Sequence, residues 1–227
     1  MHTICGTRFY ALCLFGLVCG LHWQAHSFTF HYDDYHSIVY NTALRNTENF
    51  LSFFSDSTIF SIDPNQAMYR PIVLVSYLAN FALFGEGAGS FHVLNVIVHA
   101  VNVILVFIFM LQLGISNLSS RSIAIVFALH PLTTETVYYI SSRSESLMGF
   151  GVLISLVFYL IWLSHGKNRW FLISLSGGIF AVLSKSVGVI FLPLIFLIEV
   201  YKSGVSITSK KLKYFVGYLL VVGIYVF

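Results

Sequence analysis

The chain has 227 residues, 57% of them hydrophobic and only 9% charged, with a mean hydropathy of +0.83 and a formal net charge of +3. Soluble domains carry about a quarter charged residues, so this composition excludes an ordinary soluble fold and indicates an integral membrane protein. Continuous apolar runs in place of strict alternation exclude a β-barrel, and nothing suggests a nucleic-acid partner; the expected fold is an all-α, polytopic bundle of transmembrane helices.

From the N-terminus, residues 9–23 follow Arg8 and read as an uncleaved first helix with its start in the cytoplasm; a signal peptide with small residues Ala25 and Ser27 near a cleavage point is the alternative. Cys5, Cys13 and Cys19 all fall in this apolar segment, where neither a disulfide nor a zinc site is expected. Residues 26–70 form a polar external loop, too long for a passive connector, that carries Asp33, Asp34, Glu48, Asp56 and Asp63. Residues 69–84 are apolar but short and end at the glycine-rich 85–89, so they are expected to lie along the membrane interface.

Further spans are expected at 91–113, 123–132, 147–163, 170–183, 187–201 and from 214 onward, about seven in all with the first. That alternation places Arg8, Arg121, Lys167, Arg169, Lys202, Lys210, Lys211 and Lys213 in the cytoplasm, against Arg45, Arg70, Arg143 and Lys185 outside, as basic residues distribute across membranes. The acids, Glu199 excepted, are then external, and the glycosylation sequon at Asn117 is cytoplasmic and unused. The third span is thin and has to borrow residues 118–121 or be shielded by neighbouring helices. An end at Phe227 inside an apolar run reads as a truncated product of one domain over 1–227.

Several polar elements share the external face. Asp33 and Asp34 are either helix caps or a functional pair flanked by His31, Tyr32, Tyr35 and His36; a carboxylate there is a competent general base, and its neighbour tunes it or helps hold a divalent cation. Glu135 follows His130 and the helix-breaking Pro131, either as a site residue or in a turn capped by Thr133 and Thr134. Arg143 and Glu145 are site residues or a local salt bridge. Lys185, between two apolar spans, needs an anion, either a lipid-borne phosphate or an ordinary headgroup, and Arg70 invites the same two readings. His92, Asn95, His99 and Asn102 form a polar stripe on one helix face, of the kind that joins helices by hydrogen bonds.

Taken in order, Asp33-Asp34, Tyr69-Arg70-Pro71, Asn95-His99-Ala100-Asn102, Phe127-Ala128-Leu129-His130-Pro131 with Thr134-Glu135-Val137, Ser141-Arg143-Ser144-Glu145 and Leu183-Ser184-Lys185 resemble the membrane part of the transmembrane and tetratricopeptide-repeat O-mannosyltransferases. Those belong to the GT-C superfamily of polyprenol-dependent glycosyltransferases, and the resemblance covers roughly residues 32–201. It implies transfer of a sugar from a polyprenyl-phosphate donor to a hydroxyl acceptor, often protein Ser or Thr, by inverting displacement on the extracytosolic side of a bacterial plasma membrane or an endoplasmic reticulum membrane. It nominates Asp33 and Asp34 as base and helper and Glu135 as a second-loop carboxylate. It further nominates Arg70, Arg143 and Lys185 as partners of the donor phosphate, with His130 and Glu145 in support and a divalent cation as a candidate cofactor. The family has an acidic residue after the counterpart of Lys185, where this chain has Ser186, which weakens the case for a lysine–carboxylate pair there. The alternatives are a transporter or flippase lined by the His92 to Asn102 stripe, and a structural membrane subunit.

Overall fold

The computed structural model describes residues 2–203, 216–220 and 223, with side chains from residue 6. The span expected from 214 and the basic cluster Lys210, Lys211 and Lys213 lie outside the described residues, save for the helical 216–220. Eight α-helices are described: α1 His2–Leu21, α2 Pro71–Phe84, α3 Ala88–Leu113, α4 Asn117–Leu129, α5 Thr133–Tyr138, α6 Arg143–His165, α7 Asn168–Ser184 and α8 Phe191–Ser203. No strand occurs among the described residues, in keeping with the all-α class.

Local chemistry sets these boundaries. Pro71 opens α2 at a position where its missing N–H costs nothing, and Ser116 caps α4 by accepting the Ser119 N–H at 3.1 Å. Gly114 and Gly166 end α3 and α6 in the left-handed region, at φ 95° and 67°, where a Cβ would be strained. α4 does extend back over residues 118–121.

Among the described residues, two stretches are long and apolar enough to cross a membrane, Ala88–Leu113 and Ile140–His165, each of 26 residues. At 1.5 Å per residue, α2 and α4 are only about 20 Å long, short of a hydrocarbon core of about 30 Å.

Contacts fix the direction of each helix. Tyr10 donates to the Arg121 carbonyl and Lys202 to the Leu113 carbonyl, which gathers the start of α1, the start of α4, the end of α3 and the end of α8 at one end of the bundle. At the other end, His22 meets Tyr138, Asn95 meets Tyr139, and Lys185 meets Glu145. Successive long helices therefore run in opposite directions, although only two stretches among the described residues are long enough to span, short of the seven expected. α2 starts beside Ser144 and finishes beside Ser90 near the start of α3, so it lies across the second end of the bundle and does not run its length, as its short apolar run leads one to expect.

The 26–70 loop is more ordered than its polarity suggests. Its backbone turns through a π-helical turn, Tyr35–Val39, and a series of short 3-10 turns, four of them capped by Asn41, Asn46, Asp56 and Asp63 side chains that accept the N–H two residues on. Ile38, Leu44, Phe53 and Phe60 point inward and pack with Val73, Leu74 and Tyr77 of α2 and with Ile140. The loop thus roofs α2, and the interfacial helix foreseen at 69–84 buries one face under protein.

The stripe on α3 acts as foreseen. His92, Asn95, His99 and Asn102 are all buried; Asn95 donates to the Thr136 and Tyr139 carbonyls and Asn102 to Ser146 O at 2.9 Å. These bonds tie α3 to α5 and α6, which opposes the reading of the stripe as a transport path.

The closest crossing is α6 on α7. A Cβ built on Gly177 would lie 2.7 Å from Ser155 N, and one on Gly151 only 2.6 Å from Ala181 N. Small residues here let the backbones touch, the usual device where lipid offers no hydrophobic driving force. Gly177→Val is expected to cost about 3 kcal/mol by forcing the helices apart, read as a lowered thermal midpoint in detergent. Gly16→Ala, where an added Cβ meets nothing within 4 Å, is the control and should be neutral or slightly stabilising.

Candidate functional site

The two adjacent aspartates part company. Asp34 is fully buried: its Oδ1 accepts the Ser141 N–H at 2.9 Å and hydroxyl at 2.5 Å, and its Oδ2 accepts the His31 N–H at 3.0 Å. Three donors engage both oxygens of the carboxylate and staple the loop to the segment before α6. Asp33 faces outward, with 63% of its side chain exposed and His36 Nε2 at 3.4 Å from Oδ1. His36 Nδ1 in turn meets the Ser61 hydroxyl at 2.8 Å.

The backbone is held as firmly. The Asp33 N–H donates to the Tyr139 hydroxyl at 3.2 Å, and the Asp33 carbonyl accepts from Ser37 Oγ at 2.6 Å. Tyr32 sits at φ 45°, left-handed for a bulky residue, a conformation that persists only where its surroundings impose it. Burial, with the charges of Asp33 and Asp34 adding to it, pushes the Tyr139 phenol up to about 12, so it stays protonated at neutral pH.

A second group of charges adjoins the first. Glu145, in the first turn of α6, pairs with Lys185 Nζ through Oε1 and accepts the Ser144 hydroxyl at 2.7 Å through Oε2; Arg70 Nη1 reaches Ser144 Oγ at 3.2 Å. The anion that Lys185 needs is therefore supplied within the chain, from a helix distant in sequence, although the neighbouring position is Ser186. The structure brings Asp33, Asp34, Arg70, Glu145 and Lys185 to one end of the bundle.

Arg143 does not join them. Its guanidinium is fully buried, donating from Nε to Asn95 Oδ1 at 2.7 Å, from Nη2 to Phe91 O at 2.9 Å and Asn80 Oδ1 at 3.3 Å, and from Nη1 to Ser76 O at 3.4 Å. The rings of Tyr77 and Phe91 lie against it at 4.8 and 5.3 Å. Every face of the group is used inside the protein, so the expected contact with a donor phosphate, and the alternative salt bridge to Glu145, both give way to a structural role in joining α2, α3 and α6.

His130 and Glu135 belong to a turn. His130 Nδ1 accepts the Leu132 N–H at 3.2 Å, Thr133 and Thr134 donate to the His130 and Pro131 carbonyls, and Glu135 stands exposed on α5, its own carbonyl accepting the Tyr139 N–H at 3.0 Å. Sequence reasoning assigned no role to Tyr139, Ser141, Ser144 or Ser61. Ser141 and Ser144 stood within a quoted motif, but a serine's role depends on which carboxylate it meets.

Among the described residues, no three His, Cys, Asp or Glu side chains converge to hold a metal. With the Asp34 oxygens occupied by protein donors, the aspartate pair does not fit a two-carboxylate cation site, and no step below runs through one.

No protein-family model matches the chain, and no solved structure matches it. It is 29% identical over 157 residues to Protein O-mannosyl-transferase TMTC3 of Homo sapiens, a match that covers 68% of this chain and 16% of that protein. It is 31% identical over 147 residues to a protein O-mannosyl-transferase of Caenorhabditis elegans, covering 62% of this chain and 20% of the relative. A Drosophila melanogaster protein O-mannosyl-transferase is 28% identical over 143 residues, at 62% and 16%. The matched stretch thus spans a fifth or less of these relatives, and within it the chain is similar to the transmembrane and tetratricopeptide-repeat O-mannosyltransferases, as its motifs lead one to expect.

Proposed function

We propose that this chain carries the membrane-embedded, catalytic part of a protein O-mannosyltransferase. A sugar, taken to be mannose from the names of the relatives, passes from a polyprenyl phosphate to a Ser or Thr hydroxyl at the extracytosolic face. In this reading the chain is one GT-C domain with about seven spans, α2 lies at the interface, and the loop end of the bundle looks away from the cytosol.

Asp33 is the general base. As the acceptor oxygen attacks the anomeric carbon, its proton passes to the Asp33 carboxylate and the bond from that carbon to the phosphate oxygen breaks on the opposite face, inverting the centre. Arg70 and Lys185 offset the charge on the departing polyprenyl phosphate. Asp34 and Tyr139 hold the Asp33 backbone, and Glu135, exposed on the next turn of chain, positions the acceptor. One observation carries the reading: an exposed carboxylate of the loop and a pair of cations, just before α2 and just after α7, are held at one end of the bundle by the Asp34–Ser141, Arg70–Ser144 and Lys185–Glu145 bonds.

The test is transfer of label by the full chain, reconstituted in lipid, from polyprenyl-phosphate mannose to a Ser/Thr peptide. Lys185→Gln should raise the donor KM about tenfold, the effect of one charge-assisted contact to phosphate. A folded chain that moves no sugar from any polyprenyl phosphate would overturn the reading.

A further inference from the structure

Arg70, Ser144 and Lys185 form an anion site that already holds an anion. The Glu145 carboxylate takes Lys185 on one oxygen and the Ser144 hydroxyl on the other, and Ser144 Oγ accepts from Arg70. One cation and a hydroxyl therefore contact the carboxylate at the first turn of α6, with a second cation behind the hydroxyl and helix N–H groups adding positive potential. Arg70 also lies against the Phe60 ring at 5.5 Å, and the Lys185 backbone is fixed where its N–H donates to the Ala181 carbonyl at the end of α7, while its ammonium is held by Glu145.

The pair is not sealed. Lys185 and Glu145 side chains are 24% and 35% exposed, so water and a soluble or lipid-borne anion can reach them, and a hydrated ion pair of this kind is weak. Nor is a carboxylate the best occupant, since Glu145 touches Arg70 only through Ser144. A phosphate monoester, such as the prenyl phosphate left after sugar transfer, has three terminal oxygens and more charge than a carboxylate, enough to serve Arg70, Ser144 and Lys185 at once, and the singly charged donor diester still offers an oxygen to each cation.

We propose that Glu145 is a resident counter-ion that a phosphate ester displaces. With the site vacant of phosphate, its carboxylate keeps Lys185 and, through Ser144, Arg70 in place; on binding, the phosphate takes both cations and Glu145 turns to water. The inference rests on the reading that this end of the bundle receives a phosphate-bearing donor, and it adds a threshold: an anion must outcompete a carboxylate already present.

Carbodiimide treatment of the full chain should join Glu145 to Lys185 through an amide bond, read by mass spectrometry of a digest. Saturating citronellyl phosphate, a short prenyl phosphate, should suppress most of that cross-link, while citronellol should not; since phosphates themselves consume carbodiimide, the suppression counts where carbodiimide-driven amine labelling of the exposed Glu86 is unchanged. Inorganic phosphate, and nanodiscs with or without anionic phospholipid, separate a soluble phosphate from a headgroup; suppression in any phosphate arm supports displacement and names the source. No cross-link in the free chain, or one that persists in every phosphate arm, overturns the proposal.

Glu145→Gln supplies an independent arm. Removing the competing charge should tighten citronellyl phosphate binding about tenfold, seen as a larger ligand-induced rise in thermal midpoint, whereas a merely structural ion pair predicts equal or weaker binding. Should that variant fail to fold, the cross-linking arms decide alone. Neither arm reads sugar transfer, so an inactive chain that shows displacement would remove the transferase reading and keep the counter-ion. An active chain whose cross-link persists would do the reverse.

Discussion

Asp33→Asn is expected to cut sugar transfer by about two to four orders of magnitude, the typical contribution of a positioned general base, while leaving the thermal midpoint unchanged. The side chain is 63% exposed and, among the described residues, meets only His36 and the Tyr139 phenol, and the bonds that hold the backbone here run through its N–H and carbonyl. Asparagine keeps those bonds and the shape but cannot take the proton. Asp34→Asn should behave differently, because an amide turned toward Ser141 or His31 presents a donor to a donor at a fully buried position. A loss of about 2 kcal/mol in stability follows from that mismatch, with activity falling alongside the folded fraction. Initial rates beside melting curves separate the two cases, and an Asp33→Asn protein that transfers at the unaltered rate removes Asp33 from the chemistry.

Arg143→Met should be the most damaging single substitution to the fold, at about 3–5 kcal/mol, the range seen when one member of a buried charged network is removed. Methionine fills much of the volume but leaves Asn95 Oδ1 and Asn80 Oδ1 without their Arg143 donors and takes the second donor from the Phe91 carbonyl. Arg143→Lys should rescue little, since one ammonium cannot reproduce a planar fork that reaches acceptors on both α2 and α3 while lying between the Tyr77 and Phe91 rings. Thermal midpoints and protease resistance in detergent measure this. A stable Arg143→Met protein with weakened donor binding alone would return this arginine to the phosphate.

The sequence made the helices legible because apolar runs, Pro71, Gly114 and Gly166 act locally: they set where a helix can begin or end whatever surrounds it. The polar stripe from His92 to Asn102 was legible for a similar reason, since its spacing alone puts four hydrogen-bonding groups on one face. The resemblance to O-mannosyltransferases likewise rested on the order of short motifs. The apolar anchors at Ile38, Leu44, Phe53 and Phe60 were harder to read, because they are scattered through a polar loop with no fixed period and reveal themselves only against α2.

What the sequence by itself determined was the class of molecule, the helix positions and the supply of acids and bases that end up at one end of the bundle. Only the tertiary structure decided which of them face water. Asp33 and Asp34 are neighbours of identical chemistry, yet one is buried because Ser141, 107 residues away, delivers two donors to it, and the other is left exposed. Arg143 and Lys185 diverge on the same ground: Asn80, Asn95 and Phe91 draw the guanidinium inward, while Glu145 holds the ammonium at the rim. The desolvation of a charge must be met by partners in space, and those partners come from segments whose proximity no local pattern encodes.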